Sequence, residues 1–251
     1  LMDVYAPDLS LKGKVRRRVV RLVARRPAPA APPRPMVSFA FDDAPLSATL
    51  TGAAVLESRG LHGVYYFSAG LADTDGPMGR FAGAPDARRL AQAGHEIGCH
   101  TYSHLDCGQA TGAQVAAEIA RNAQVLTDWG LPEAVSFAYP YGDVSAPAKR
   151  ALAGRFRSLR ALHHGLVEKG SDLNQMPAVG IEGVEGEATA RDWMDRARAR
   201  NAWLILYTHD VVDDASAFGC TPAALERLTA KAVLDGFDVV TVAEGARRMG
   251  A

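Results

Sequence analysis

The sequence predicts an α/β protein with a parallel sheet, either open or closed as a barrel. Short apolar segments rich in β-branched and aromatic residues alternate with alanine-rich segments of helical spacing, and parallel strands need such crossovers. The length of 251 residues suits one large domain of this class. With 48% hydrophobic and 22% charged residues, the composition is that of a globular enzyme and excludes collagen-like and disulfide-rich proteins. No apolar run is long enough to span a membrane.

Seven strands and five helices are predicted along the chain. The clearest helix has Thr221 as its N-cap, Pro222 at its first position and Gly236 after its end. Functional side chains of parallel α/β folds lie at the carboxyl ends of the strands, so polar residues at these ends are the candidates for chemistry. The predicted strands are 36–41, 63–68, 95–99, 135–139, 156–162, 203–207 and 238–242, and the predicted helices are 44–58, 85–93, 112–129, 189–200 and 222–234.

The net charge of zero conceals a basic N-terminal segment. Residues 1–35 hold nine Lys and Arg against two Asp, a net charge of +7, whereas the rest of the chain has a net charge of −7. A protein that binds nucleic acid over its main surface needs a basic body. Nucleic acid is therefore not an expected partner.

Five prolines within residues 27–35 predict a stiff, extended spacer. The spacer divides a basic arm, residues 1–35, from a body, residues 36–251. A helical arm with one apolar stripe either packs on the body or lies on a membrane surface. Because the spacer is expected to hold the arm away from the body, we expect peripheral membrane contact through residues 9–26. The stripe consists of Leu11, Val15, Val19, Leu22 and Val23.

The cysteine count indicates a reducing compartment. Cys99, Cys107 and Cys220 are odd in number and form no C-x-x-C motif. The N-terminus lacks the apolar segment and cleavage site of a secretory signal. We therefore expect a cytoplasmic protein, held peripherally at the inner membrane.

The first predicted strand runs directly into Asp42 and Asp43. Two carboxylates at the end of an apolar strand repel each other and lose solvation, so a metal ion is expected to compensate them. A second interpretation is a helix N-terminus, because Asp43 before Ala44 and Pro45 is a suitable cap. On this pair alone the cap is favoured, since such caps are common.

Two histidines, His100 and His104, follow the third predicted strand. Imidazoles four residues apart can share one small cation at about 2.0–2.1 Å from each nitrogen. A lone histidine here would more often be a hydrogen-bonded core residue. Because two carboxylates at another strand end match this pair, a catalytic divalent metal such as zinc is favoured.

Two further strand ends add functional groups. One predicted strand leads into a Pro-Tyr-Gly turn around Tyr141, which can expose backbone N–H groups. The strand 203–207 is followed closely by His209. This third histidine can be a metal ligand or an acid–base group, and its spacing leaves both roles open.

Four segments in this order resemble the motifs of the polysaccharide deacetylases, the NodB-homology family of carbohydrate esterases (family 4). The resemblance extends from residue 36 to the C-terminus. It implies a distorted (β/α) barrel that removes N-acetyl groups from amino sugars. The segments are Phe-Ala-Phe-Asp-Asp ending at Asp43, His-Thr-Tyr-Ser-His from His100 to His104, Phe-Ala-Tyr-Pro-Tyr-Gly ending at Gly142, and Leu-Tyr-Thr-His ending at His209.

The resemblance also implies a role for each motif residue. Asp42 would be the general base, and His209 would protonate the leaving sugar amine. The oxyanion would lie on the metal and on the backbone N–H of Tyr141. The metal, Zn²⁺ with Co²⁺ or Ni²⁺ as alternatives, would be held by Asp43, His100 and His104.

Three positions depart from the family pattern. The family often has an arginine, bonded to the base, at the position of Ala138, and it usually has glycine at the position of Ala44. The carboxylate that orients the histidine acid has no clear counterpart. Candidates for the missing arginine are Arg157 and Arg160, and candidates for the missing carboxylate are Glu182 and Asp192.

We therefore expect a metal-dependent N-deacetylase acting on N-acetylhexosamine units of a bacterial exopolysaccharide, of the biofilm or holdfast type, or its lipid-linked precursor. One alternative is a hydrolase of a small amide or formamide on the same scaffold. Another is a carbohydrate-binding pseudoenzyme. The presence of both aspartates and all three motif histidines argues against a pseudoenzyme.

Overall fold

The computed structural model describes Gly13 and residues 18–251. The strands of this part of the chain are β1 (Met36–Phe41), β2 (Val64–Phe67), β3 (Asp75–Gly76), β4 (Gly79–Arg80), β5 (Glu96–Cys99), β6 (Ser136–Ala138), β7 (Ser158–Arg160), β8 (Val179–Gly180), β9 (Trp203–Thr208) and β10 (Asp238–Val239).

The core is one parallel sheet in the order β7-β6-β5-β2-β1-β9-β8, with β10 also paired to β1. Past β7 the sheet curls further, because the backbone of Met176 accepts from Ala161 and donates to Leu159. The chain continues from Met176 into β8, which pairs with β9. This curled sheet confirms the predicted distorted (β/α) barrel. Since the strands are parallel, their carboxyl ends lie at one end of the barrel.

Helices surround the sheet, and several begin at a side-chain cap. The hydroxyls of Thr111, Thr221 and Thr241 each accept a backbone N–H from the first turn that follows. Within the described residues, no helix has the length and apolarity needed to cross a bilayer. The helices are α1 (Ala53–Glu57), α2 (Ala84–Gln92), α3 (Gly112–Asp128), α4 (Ala146–Leu152), α5 (Gly186–Arg200), α6 (Pro222–Leu234) and α7 (Val242–Arg248).

The sequence prediction misses several short elements. It contains neither α4 nor the β3–β4 hairpin. The predicted helix 44–58 is helical over residues 46–57, where a π-helical turn, Ala48–Gly52, precedes α1. The sequence prediction also ends a strand at residue 242, although Val242 begins α7. Part of the reason is tertiary, because the Glu96 carboxylate accepts the N–H of Ala243 at 2.7 Å and stabilises the start of α7.

The arm packs against the body, so the expectation that the spacer holds it away is wrong for the described residues. Ala28 is buried, and it donates its N–H to Ser171 and accepts from Gly170. The buried ammonium of Lys149 donates to the carbonyl of Val20 at 3.1 Å. Residues between prolines keep their N–H groups, so an extended Pro-rich segment can still pair like a strand. The predicted arm residues Leu11, Lys12, Lys14, Val15, Arg16 and Arg17 lie outside the described residues.

Candidate metal and catalytic site

Asp42 and Asp43 follow β1 at the carboxyl end of the sheet, and both are buried. The next helical turn begins at Leu46. The helix-cap interpretation of Asp43 is therefore wrong, because the chain first passes through left-handed conformations at Asp43 (φ 59°) and Ala44 (φ 46°).

The carboxylate of Asp43 lies against both motif histidines. Its Oδ1 is 3.6 Å from His100 Nε2 and 3.3 Å from His104 Nε2. One ligand-type atom from each residue lies within 4.8 Å of the others, and all three side chains are buried. Asp43 Oδ1 is also buried without a hydrogen-bond partner. Because an unpaired buried carboxylate oxygen is costly, this donor set fits a divalent metal ion.

The electrostatics of the two histidines suit ligation. Burial lowers the pKa of His100 to about 4, with a further contribution from His104. Burial also lowers the pKa of His104 to about 4, with a further contribution from His209. Both imidazoles are therefore neutral at neutral pH, the form that can donate a lone pair. His100 Nδ1 lies 2.8 Å from the carbonyl of Ala138, so Nδ1 carries the proton and Nε2 is left to face Asp43.

Asp42 is bound by Arg160, which lies at the end of β7. Arg160 Nη2 donates to Asp42 Oδ1 at 2.5 Å, and both side chains are buried. Burial alone would raise the pKa of Asp42, but Arg160, with further contributions from His100 and His209, outweighs burial and lowers it. Asp42 is therefore ionised at neutral pH, as a general base must be. Of the two arginines suggested by the sequence, the structure brings Arg160, and not Arg157, to this carboxylate.

Two aromatic rings complete the surroundings of Arg160. Its Cζ is 5.1 Å from the ring centroid of Tyr66 and 5.3 Å from that of Tyr207. Its Nε and Nη1 are buried without hydrogen-bond partners. The ring faces and Asp42 together stabilise a guanidinium that has lost its water. Tyr207 belongs to the Leu-Tyr-Thr-His segment, but the sequence indicates no role for either tyrosine, because strand residues separated along the chain give no local signal.

His209 is oriented by Glu182. His209 Nδ1 lies 3.1 Å from Glu182 Oε1, and the hydroxyl of Tyr207 donates to Glu182 Oε2 at 3.1 Å. Burial alone would lower the pKa of His209, but Glu182, Asp42 and Asp43 outweigh burial and raise it to about 9. His209 is therefore protonated at neutral pH and has a proton to donate.

The sequence suggests Glu182 and Asp192 as candidates for the carboxylate that orients His209. The structure places Glu182 there. Asp192 lies on α5, where its carboxylate is 58% exposed and pairs with Arg196. Glu182 was hard to select from sequence because it lies in a loop with no motif of its own.

Tyr141 lies in the turn after β6, beside a predicted metal ligand. Its ring packs edge-on against His104, with the ring centroids 4.4 Å apart. Its backbone is left-handed, with φ 58°. The structure therefore brings Tyr141 to the site, and the role of its N–H as an oxyanion donor stays a prediction.

Left-handed backbone is concentrated at this end of the barrel. The structure contains eight described non-glycine residues with positive φ, and five of them belong to the motif segments or, as Ala44 does, directly follow one. Such conformations persist where surrounding contacts hold them, and they are typical of functional sites. The five residues are Asp43, Ala44, Thr101, His104 and Tyr141.

A known family matches the part of the chain that holds Asp43, His100 and His104. The polysaccharide deacetylase family model matches residues 30–154. None of the curated proteins matches the chain. A solved structure from Mycobacterium smegmatis, assigned as a polysaccharide deacetylase, has a TM-score of 0.67 and 18% identity, covering 90% of this chain and 95% of that one.

Two other solved structures share the fold. A family 4 acetyl xylan esterase from Clostridium thermocellum, in complex with a cobalt ion, has a TM-score of 0.58 and 19% identity over 83% of this chain and 89% of that one. BA3943 from Bacillus anthracis, a CE4 family pseudoenzyme, has a TM-score of 0.59 and 14% identity over 88% of this chain and 69% of that one. The fold therefore occurs in both active and inactive relatives, and the side chains must decide between them.

Proposed function

The chain belongs to the polysaccharide deacetylase family, and we propose that it is a metal-dependent N-deacetylase. Its proposed substrate is an N-acetylhexosamine unit of a bacterial exopolysaccharide or of its lipid-linked precursor. One observation carries the proposal, the buried Asp43–His100–His104 group beside an ionised Asp42. A pseudoenzyme has no need to keep these ionisable groups buried together, because the burial of each one costs folding stability.

The chain supplies a group for each proton transfer. When bound, a divalent metal polarises the acetyl carbonyl and makes the attacking water more acidic. Asp42, kept ionised by Arg160, accepts the proton of that water. The backbone N–H of Tyr141 donates to the developing oxyanion. His209, held by Glu182, then gives its proton to the leaving nitrogen.

The protonation state of His209 favours an amide substrate. An amine leaves an amide only after its nitrogen is protonated, and the pKa of about 9 keeps His209 protonated at neutral pH. The similarity to an acetyl xylan esterase supports a second candidate, hydrolysis of O-acetyl groups. An ester needs less help from the acid because its leaving group is better.

Acetate release distinguishes these functions. The metal-loaded protein is incubated with N-acetylglucosamine oligomers, with acetylated xylan and with small amides. We expect acetate release from the oligomers to be the fastest. Faster release from acetylated xylan would assign the second candidate, and release from small amides alone would exclude a glycan substrate.

We further propose that the arm contacts an anionic membrane surface. Val19 and Leu22 are 52% and 75% exposed, and Arg18, Arg21 and Arg25 are exposed around them. Each basic residue near an anionic leaflet contributes about 1 kcal/mol, and exposed apolar side chains can enter the headgroup region. Such contact would bring the site close to a lipid-linked glycan.

A further inference from the structure

Two exposed apolar side chains lie on the loops that carry the proposed acid and its partner. Phe218 is 53% exposed and Val184 is 99% exposed. Val184 follows Glu182 by two residues, and its loop is bonded to the Phe218 loop because Gly183 N–H donates to the carbonyl of Gly219 at 3.2 Å. We refer to Phe218 and Val184 as the apolar rim. Large exposed apolar groups beside a polar site are typical of a binding surface.

The loop holds Phe218 in place. The carboxylate of Asp210 accepts the hydroxyl of Ser216 at 2.6 Å and its N–H at 2.8 Å. Ser216 Oγ in turn accepts the N–H of Phe218 at 3.1 Å, and the Phe218 carbonyl accepts the N–H of His209 at 3.2 Å. The backbone that carries the ring is therefore held in place and loses little freedom when a ligand binds.

The ring of Phe218 is a direct neighbour of the proposed acid. Its centroid is 5.8 Å from that of His209, and the two rings are inclined at 65°. A nitrogen that receives the proton of His209 must come within about 2.6–3.2 Å of it. The sugar ring bonded to that nitrogen then lies within reach of Phe218.

We propose that the apolar rim binds the C–H face of the sugar ring whose nitrogen receives the proton from His209. This inference rests on the proposed function and names the part of the glycan that the rim recognises. An aromatic ring offers a flat apolar surface that suits the C–H face of a pyranose.

The charge of the two loops further restricts the sugar. Residues 182–186 and 209–220 contain no Lys or Arg, whereas Glu185, Asp213 and Asp214 are exposed on them. A negatively charged sugar such as a uronic acid would be repelled. The acidic loops therefore favour a neutral sugar over an anionic one.

The test compares a glycan with a small substrate in the metal-loaded protein. The substrates are the N-acetylglucosamine pentamer and 4-nitrophenyl acetate, which lacks a sugar. For Phe218→Ala, we expect kcat/KM for the pentamer to fall about tenfold more than kcat/KM for the ester, mainly through KM. Phe218→Tyr should restore the pentamer value, and the matched control Leu234→Ala, which removes an 84% exposed side chain on α6, should change neither.

The outcomes distinguish a failure of the proposed sugar binding by the apolar rim from a failure of the proposed function. A wild-type protein that releases no acetate from the pentamer contradicts the proposed function itself. If the wild type is active and Phe218→Ala loses the same factor on both substrates, the rim does not bind sugar. Equal kcat/KM values for the pentamer and for an oligomer containing uronic acid would overturn the selection of a neutral sugar.

Discussion

Ala138 and Arg160 are directly paired across β6 and β7. Ala138 occupies the position at which the family resemblance leads us to expect an arginine bonded to the base. Arg160, its neighbour on the next strand, forms that bond with Asp42 instead. Because paired residues of adjacent strands point to the same side of the sheet, a guanidinium can reach the same carboxylate from either strand.

Replacing the arginine should impair the base. In Arg160→Met the pKa of Asp42 should rise, because burial then acts without a neighbouring guanidinium. The acidic limb of the kcat/KM profile should move to higher pH, and removing one partner of a buried pair should cost about 3–5 kcal/mol of folding stability. The profile and a denaturant titration measure these two effects.

An arginine placed on the neighbouring strand should also stabilise the charged form of Asp42. Ala138→Arg combined with Arg160→Ala should recover at least part of the activity that Arg160→Ala loses, because the volume released by one side chain accommodates the other. The matched control is Ala138→Leu combined with Arg160→Ala, which fills the space without a charge. Equal activity of the two double variants would show that an arginine at position 138 does not replace Arg160.

The three proposed metal ligands should act as a set. Asp43→Ala, His100→Ala and His104→Ala should each lose metal and activity together, because each removes one of three ligands. Metal content after dialysis against limiting Zn²⁺ measures this. His62→Ala, which removes an exposed histidine before β2, serves as the control and should keep its metal. If a variant at one of these three positions keeps its full metal content, the substituted residue is not a metal ligand.

Glu182 should set the alkaline limit of activity. His209 must be protonated to act as the acid, so activity is lost as pH rises through its pKa of about 9. Glu182→Gln removes a charge that raises this pKa, so the alkaline limb should move to lower pH by about one unit or more. Asp192→Asn is the control, because Asp192 pairs with Arg196 instead. If the alkaline limb of Glu182→Gln stays at the wild-type pH, Glu182 does not raise the pKa of His209.

Membrane contact should depend on exposed residues of the arm. Deleting the arm is a poor test, because Val20 and Ala28 are buried against the body. Leu22→Ser and Arg21→Glu should instead reduce sedimentation with vesicles of 30% phosphatidylserine by about fivefold each, and added salt should weaken binding of the wild type. Leu234→Ser, on α6, is the control. Equal sedimentation of all four proteins would exclude contact through this surface.

The barrel could be predicted from sequence because its signals are local. The apolar runs at β1 and β9 and the cap at Thr221 each lie within a few residues of the element they define. The alternation of strands and helices then implies a parallel sheet, in which the carboxyl ends of the strands lie at one end. The structure brings Asp43, His100 and His104 together as this rule implies.

The supporting residues could not be selected from sequence because their contacts are long-range. Arg160 bonds to a carboxylate 118 positions away, and Glu182 reaches a histidine from a loop without a motif. The packing of the arm against the body is also not predictable from sequence, for a related reason. The Pro-rich composition indicates an extended segment, but only the fold reveals that Ser171 and Gly170 pair with it.

The most direct test titrates metal-free protein with Zn²⁺ while acetate release from the N-acetylglucosamine pentamer is measured, in the wild type and in Asp42→Asn. We expect one equivalent of Zn²⁺ to activate the wild type fully. Asp42→Asn should bind the ion equally well and release acetate at least about a hundredfold more slowly, because the amide cannot accept the proton of water. A metal-loaded wild type that releases no acetate would contradict the proposed deacetylase activity, and an Asp42→Asn variant as active as the wild type would contradict the role of Asp42 as the base.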